Sequence, residues 1–235
     1  MSRAFAVIPA RGGSKRIPGK NIRSFSGQPI IYYSIKAVVE SRLFARVIVS
    51  TDSEEIAAVA KKCGAEVPFL RPQELSDDHT PLVSVLRHSV EFFQKSGEEF
   101  DNFCCVLATA PFVDAEILKK AFDLFTASDA PSAIAVTRFS APILRSFKIT
   151  NQGKLVMNWP EYELTRSNDL EEAYHDAGQF YWINQKNFLR SNKVFMEGSI
   201  PVVLANNMVR DIDTEEDWKI AEMLFELNRG KGKKR

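Results

Sequence analysis

Short apolar runs alternate with amphipathic stretches almost from the first residue of this chain. Ala4–Pro9 is an apolar run of strand length, and residues 47–50, 103–108, 133–137, 179–183 and 200–204 have the same character. Between these runs apolar side chains recur at helical spacing. Ile30–Ser41 is one such stretch. Ile56, Val59, Ala60 and Cys63 form a second behind Ser53, which is placed to cap the helix ahead of Glu54 and Glu55, and Gly64 ends it. Further stripes run through Leu82, Leu86, Val90 and Phe93, through Leu118, Ala121, Phe122 and Phe125, and through Trp218, Ala221 and Phe225 of a last helix that starts at Glu215. This order predicts an α/β fold with a doubly wound, mostly parallel, Rossmann-like sheet in one domain over residues 1–235.

The alternation breaks over residues 139–174, where prolines and short strand-like pieces replace it without the composition of a free linker. We read a small inserted arm. Its apolar anchors Ile143, Leu144, Phe147, Val156 and Trp159 would form a sticky patch on a monomer, so the arm is expected to build a homodimer.

The chain carries 45% hydrophobic and 26% charged residues and a net charge of +1, the proportions of a water-soluble globular protein without a broad cationic surface for nucleic acid. The basic residues Lys231, Lys233, Lys234 and Arg235 read as a solvated, frayed end. Cys63, Cys104 and Cys105 lack metal-ligand spacing and read as small core hydrophobes. No run of eighteen apolar residues occurs, and no membrane is expected as a partner. The expected location is a reducing cytoplasm.

The candidate chemistry lies where the first strand opens into ARGGSKRIPGKN, residues 10–21. Arg11, Lys15, Arg16 and Lys20 stand there among Gly12, Gly13 and Gly19. Ligands of open α/β sheets bind beyond the carboxyl ends of the strands. Glycines let backbone N–H groups turn toward phosphate, and four cations in ten residues can balance a triphosphate. The spacing is neither that of a Walker A loop, since Ser14 and Asn21 stand where it needs glycine and a hydroxyl residue, nor a GxGxxG fingerprint.

This loop, VIVSTD at residues 47–52, FLRP at 69–72 and DIDTEEDW at 211–218 together resemble the CMP-sialic acid synthetase family of cytidylyltransferases, in the family's order and over almost the whole chain. The resemblance implies a nucleotide-diphospho-sugar transferase-like fold and CMP transfer from CTP to an acidic nine-carbon (nonulosonic) sugar, with Mg²⁺ as cofactor. Within the family, NDLEEAYHDAGQFYW at 168–182 is most similar to the pseudaminic acid branch. Sialic acid enzymes resemble FRPNGAIY at the corresponding positions, so His175 stands where they have arginine. CMP activation of N-acetylneuraminic, legionaminic or ketodeoxyoctonic acid stays open, as does a nucleotide-binding regulatory protein without turnover.

By this resemblance Arg11, Gly12, Gly13, Ser14, Lys15 and Lys20 hold phosphates, with Arg11 and Lys20 acting on the reacting phosphorus, and Asn21 touches the nucleotide. Arg16 is either a further contact or a solvated charge. Arg71, just after a third strand, is expected at the cytosine or in a strand-end ion pair, and Thr109 at the crevice or in a turn bond. Asp211 and Asp213 lie two apart in an extended segment, so both carboxylates face one side, as a shared Mg²⁺ requires, although Asp213 or Thr214 could instead cap the last helix. His175, Gln179 and Tyr181 are the candidates for the sugar, with Tyr181 and Gln179 on one side of their strand. For His175, as for His79 and His88, a structural role is the alternative. The attacking proton could pass to a sugar hydroxyl on the metal or to a carboxylate such as Asp176.

Overall fold

The computed structural model describes residues 3–232. Of the basic tail, Lys233, Lys234, Arg235 and the side chain of Lys231 lie outside the described residues. In chain order the strands are β1 (Ala4–Pro9), β2 (Ser24–Phe25), β3 (Gln28–Pro29), β4 (Arg46–Ser50), β5 (Asn102–Val106), β6 (Ser132–Arg138), β7 (Phe147–Ile149), β8 (Leu155–Met157), β9 (Tyr174–Asn184) and β10 (Ile200–Leu204). The helices are α1 (Ile30–Ser41), α2 (Glu54–Lys62), α3 (Leu82–Lys95), α4 (Ala115–Thr126), α5 (Gln185–Ser191) and α6 (Glu215–Gly232).

Six strands form one sheet in the order β10-β6-β9-β5-β1-β4. β9 runs antiparallel to both neighbours, and the remaining pairs are parallel. Side chains alternate between two cores, as the pleat requires. Ala4, Ala6, Ile8, Cys104, Val106, Phe180 and Trp182 face α1, α2 and α4, while Phe5, Val7, Phe103, Cys105, Tyr181 and Ile183 face α3 and α5. Phe5 is packed by Phe93, Phe100 and Phe103 at ring distances of 4.8, 5.0 and 5.4 Å. Trp182 lies between Phe44 at 5.0 Å and Phe122 at 4.9 Å. Cys104 and Cys105 are fully buried, and that burial pushes both thiols above their ordinary range.

The doubly wound sheet agrees with the sequence pattern, and three details correct it. Residues 66–70 do not form a regular third strand: Glu66 and Leu70 make isolated bridges to Ile48 and Thr51. β5 ends at Val106, so Thr109 sits in the turn beyond it. β9 begins at Tyr174 and α5 follows it directly, so the sheet extends further toward the insertion than expected.

A third core holds α6 to the loop after β1. Trp218 and Ala221 pack there with Phe25, Ile30, Phe112, Ile17 and Ile212. Ile17 belongs to the cationic loop and Ile212 to the Asp211–Asp213 segment, so burying these two isoleucines brings cations and carboxylates together.

Candidate active site

The cationic loop leaves β1 alongside β4, where the Ala10 amide donates to the Ser50 carbonyl at 2.9 Å. Gly12 then passes so close to the start of α2 that a Cβ on it would stand 3.1 Å from that of Ser53, and its amide donates to Asp52 Oδ1 at 2.9 Å. Gly19, at φ +63°, turns the chain into a short 3₁₀ turn at Lys20–Ile22. Asn21 ties the loop back on itself by donating from Nδ2 to the Arg11 carbonyl at 2.9 Å.

Two carboxylates each bridge two of the four loop cations. Asp78 bridges Arg11 and Lys15, both at 2.5 Å. Asp213 lies 2.9 Å from Arg16 and 3.5 Å from Lys20, whose ammonium also donates to the Ile212 carbonyl at 2.6 Å. Lys15, and then Arg11, hold the Asp78 carboxyl below its ordinary range by hydrogen bonding. Asp78 carried no signal in the sequence beyond an acidic pair in a polar loop.

Arg11, Ser14, Lys15, Arg16, Lys20 and Asn21 line a cleft of about 270 Å³, which Arg71 and Thr109 complete. Leu82, Val85 and Leu107 give it an apolar wall. Gly12 and Gly13 are exposed and do not line it, and the Gly12 amide is already engaged by Asp52. Arg71 is 5% exposed and 3.8 Å from Asp52. Its Nε and Nη2 find no hydrogen-bond partner among the described residues, and burial draws the guanidinium below its ordinary value. A buried planar group with N–H donors to spare, in the wall of a cleft, is suited to a ligand's carbonyl or ring nitrogen.

A second cleft of about 500 Å³ is lined by Thr137, His175, Arg210, Asp211 and Asp213. Ile212 is buried between the two carboxylates. Thr214 is the cap of α6: its hydroxyl accepts the Asp217 amide at 3.1 Å, while Asp217 Oδ2 accepts the Thr214 amide at 3.0 Å and hydroxyl at 2.7 Å. Asp213 is thereby free of the capping role. Loss of solvent in the cleft, and then the facing charge of Asp213, hold the Asp211 carboxyl above its ordinary value. Two like charges held together in this way suit a hard divalent cation. No group of three or more His, Cys, Asp and Glu among the described residues is arranged as a metal cage, and Mg²⁺ is commonly held by one or two carboxylates together with substrate phosphate.

The three sugar candidates part company. His175 lines the second cleft, its ring 4.7 Å from Phe139 and its Nδ1 2.9 Å from the Asp176 carbonyl. Gln179 is fully buried and donates from Nε2 to the Ala177 and Gly178 carbonyls at 3.0 and 3.1 Å. Tyr181 is 3% exposed, in the core under α3 and α5, and its hydroxyl donates to Asp176 Oδ2 at 2.8 Å. Among the described residues no helix is long and apolar enough to cross a membrane.

The chain is 41% identical over 222 residues to the pseudaminic acid cytidylyltransferase of Campylobacter jejuni subsp. jejuni serotype O:2, covering 94% of this chain and 96% of that one. It is 33% identical over 228 residues to the CMP-N,N'-diacetyllegionaminic acid synthase of Legionella pneumophila, covering 96% and 97%. The solved structure of CMP:2-keto-3-deoxy-manno-octonic acid synthetase complexed with CTP has the same fold, with a TM-score of 0.70 at 17% identity over 97% of this chain and 100% of that one. Residues 5–228 match the cytidylyltransferase family model. With the match spanning nearly the whole chain, this protein belongs to the cytidylyltransferase family.

Proposed function

We propose that this protein transfers CMP from CTP to the anomeric hydroxyl of pseudaminic acid and releases pyrophosphate. The observation that carries this reading is the cleft itself, where four loop cations and a buried guanidinium with two nitrogens lacking hydrogen bonds face one space beside an acidic pair. Likeness to a pseudaminic acid cytidylyltransferase at 41% identity supports the choice of sugar.

In this reading Arg11, Lys15 and Lys20 exchange their carboxylate partners for the triphosphate, and Arg71 meets the cytosine. The anomeric oxygen forms a bond to the α-phosphorus as the bond to the β-phosphate oxygen breaks. Arg11 and Lys20 stabilise the charge that grows on the phosphorus. Asp211 and Asp213 would hold Mg²⁺, which when bound neutralises phosphate charge. Ser14, Asn21 and Thr109 orient the nucleotide and His175 borders the sugar. The same reading makes the protein a cytoplasmic homodimer joined through the arm.

Incubation with CTP, Mg²⁺ and each acidic sugar in turn, with mass detection of the CMP-sugar, tests the proposal. Pseudaminic acid should give the largest kcat/KM. Preference for legionaminic acid would transfer the assignment to that sugar, which the relative at 33% identity makes the second reading. Absence of product with every sugar would leave a nucleotide-binding protein.

A further inference from the structure

Asp176 is an exposed carboxylate held in place as firmly as a buried one. The pairing of β9 with β6 shifts register between Ile134 and Val136, and Gly178 enters the left-handed region at φ +58°. The bulge turns the Gly178 amide onto Asp176 Oδ1 at 3.0 Å, and Gln179 closes it from beneath through the Ala177 and Gly178 carbonyls. Tyr181 holds the other oxygen at 2.8 Å. Each carboxylate oxygen is thus fixed by one donor and keeps a lone pair for another. No Lys, Arg or His among the described residues forms an ion pair with this carboxylate.

Its position follows from its neighbours. A Cβ on Gly178 would stand 4.0 Å from Leu107 Cδ1, and Leu107 lines the nucleotide cleft. His175, one residue before it, lines the cleft of Asp211 and Asp213. Asp176, exposed near the start of β9, therefore has a neighbour at each cleft while lining neither. A fixed anion there repels the carboxylate of an acidic sugar and attracts its neutral O–H and N–H groups.

We infer that Asp176 accepts an O–H or N–H of the sugar and that Tyr181 is a positioning residue acting through it rather than a sugar contact. This rests on the proposed CMP-transfer activity. A carboxylate pinned by a phenol and an amide is a specificity element, because a sugar without a donor at that point would leave it unpaired.

A double-mutant cycle on steady-state kinetics with CTP and a panel of acidic sugars tests this. Asp176→Asn should raise the sugar KM by about tenfold or more, and Tyr181→Phe by about tenfold, with the KM for CTP within about twofold of wild type. The double variant should be no worse than Asp176→Asn alone, since Tyr181 has nothing left to position. Multiplying effects in the double variant, or an unchanged sugar KM in Asp176→Asn, would overturn the inference and leave the activity standing. Should Tyr181→Phe fail to fold, Asp176→Glu moves the charge by one methylene and should raise the sugar KM in the same way. An unchanged KM there overturns the inference as well. Absence of turnover with every acidic sugar in wild type overturns the activity and, with it, this inference.

Discussion

Asp211 and Asp213 stand two residues apart but keep different company, one facing a like charge and the other held by Arg16 and Lys20. Because the folded state raises the Asp211 carboxyl, its contribution favours folding below the ordinary value of 3.8 and is lost as pH rises through the raised one. At neutral pH ionised Asp211 opposes folding, so Asp211→Asn should raise Tm in metal-free buffer and should lack the rise that Mg²⁺ at the proposed site is expected to give wild type. Differential scanning fluorimetry with and without Mg²⁺ reads both. Lys20→Ala should lower kcat about a hundredfold, the effect of losing a preorganised charge on the transition state. Rapid-quench measurement of CMP-sugar formation checks it. The loop cations were legible because ten consecutive residues carry them. Asp78 was not, because its partners lie more than sixty residues away along the chain and only the folded loop brings them to it. The spacing of Gln179 and Tyr181 showed that they share a face, but not that the face is buried.

At the scale of elements, the α6 cap joins the acidic segment to the helix behind it. Thr214→Ala should cost about 1 kcal/mol, the usual worth of such a cap. That corresponds to a fall of about 2–4 °C in Tm for a chain of this length, readable by circular dichroism. The parallel strands and five of the helices were legible from hydrophobic period alone. The segment at residues 66–70 misled because Pro68 lacks the amide a ladder needs, which leaves single bridges on either side of it. The start of β9 was hidden because Tyr174, His175 and Asp176 are exposed and show no apolar alternation. α5 has seven residues and one fully buried apolar side chain, Phe188, too few for a helical period to show.

For the whole molecule, the arm contains a hairpin in which Phe147 pairs with Met157 and Ile149 with Leu155, placing these four side chains on one face. Ile149 is 74% exposed and Leu155 68%, a cost in water that a second copy of the chain would remove. The protein should run as a dimer at micromolar concentration by light scattering. Ile149→Glu together with Leu155→Glu should give a monomer with reduced turnover, whereas a monomeric wild type of full activity would remove the arm's proposed role.

The central place of β9 also governs how the chain can mature as it leaves the ribosome. β4, β1 and β5 associate within the first half of the sequence, but the free edge of β5 has its permanent partner only when residues 174–184 emerge. Until then Phe103, Cys104 and Cys105 lie on an uncovered margin of high β propensity, a template for pairing with the wrong chain. A nascent chain stalled near residue 130 should therefore sediment as aggregate or be recovered on a chaperone. One stalled beyond the last helix should resist protease.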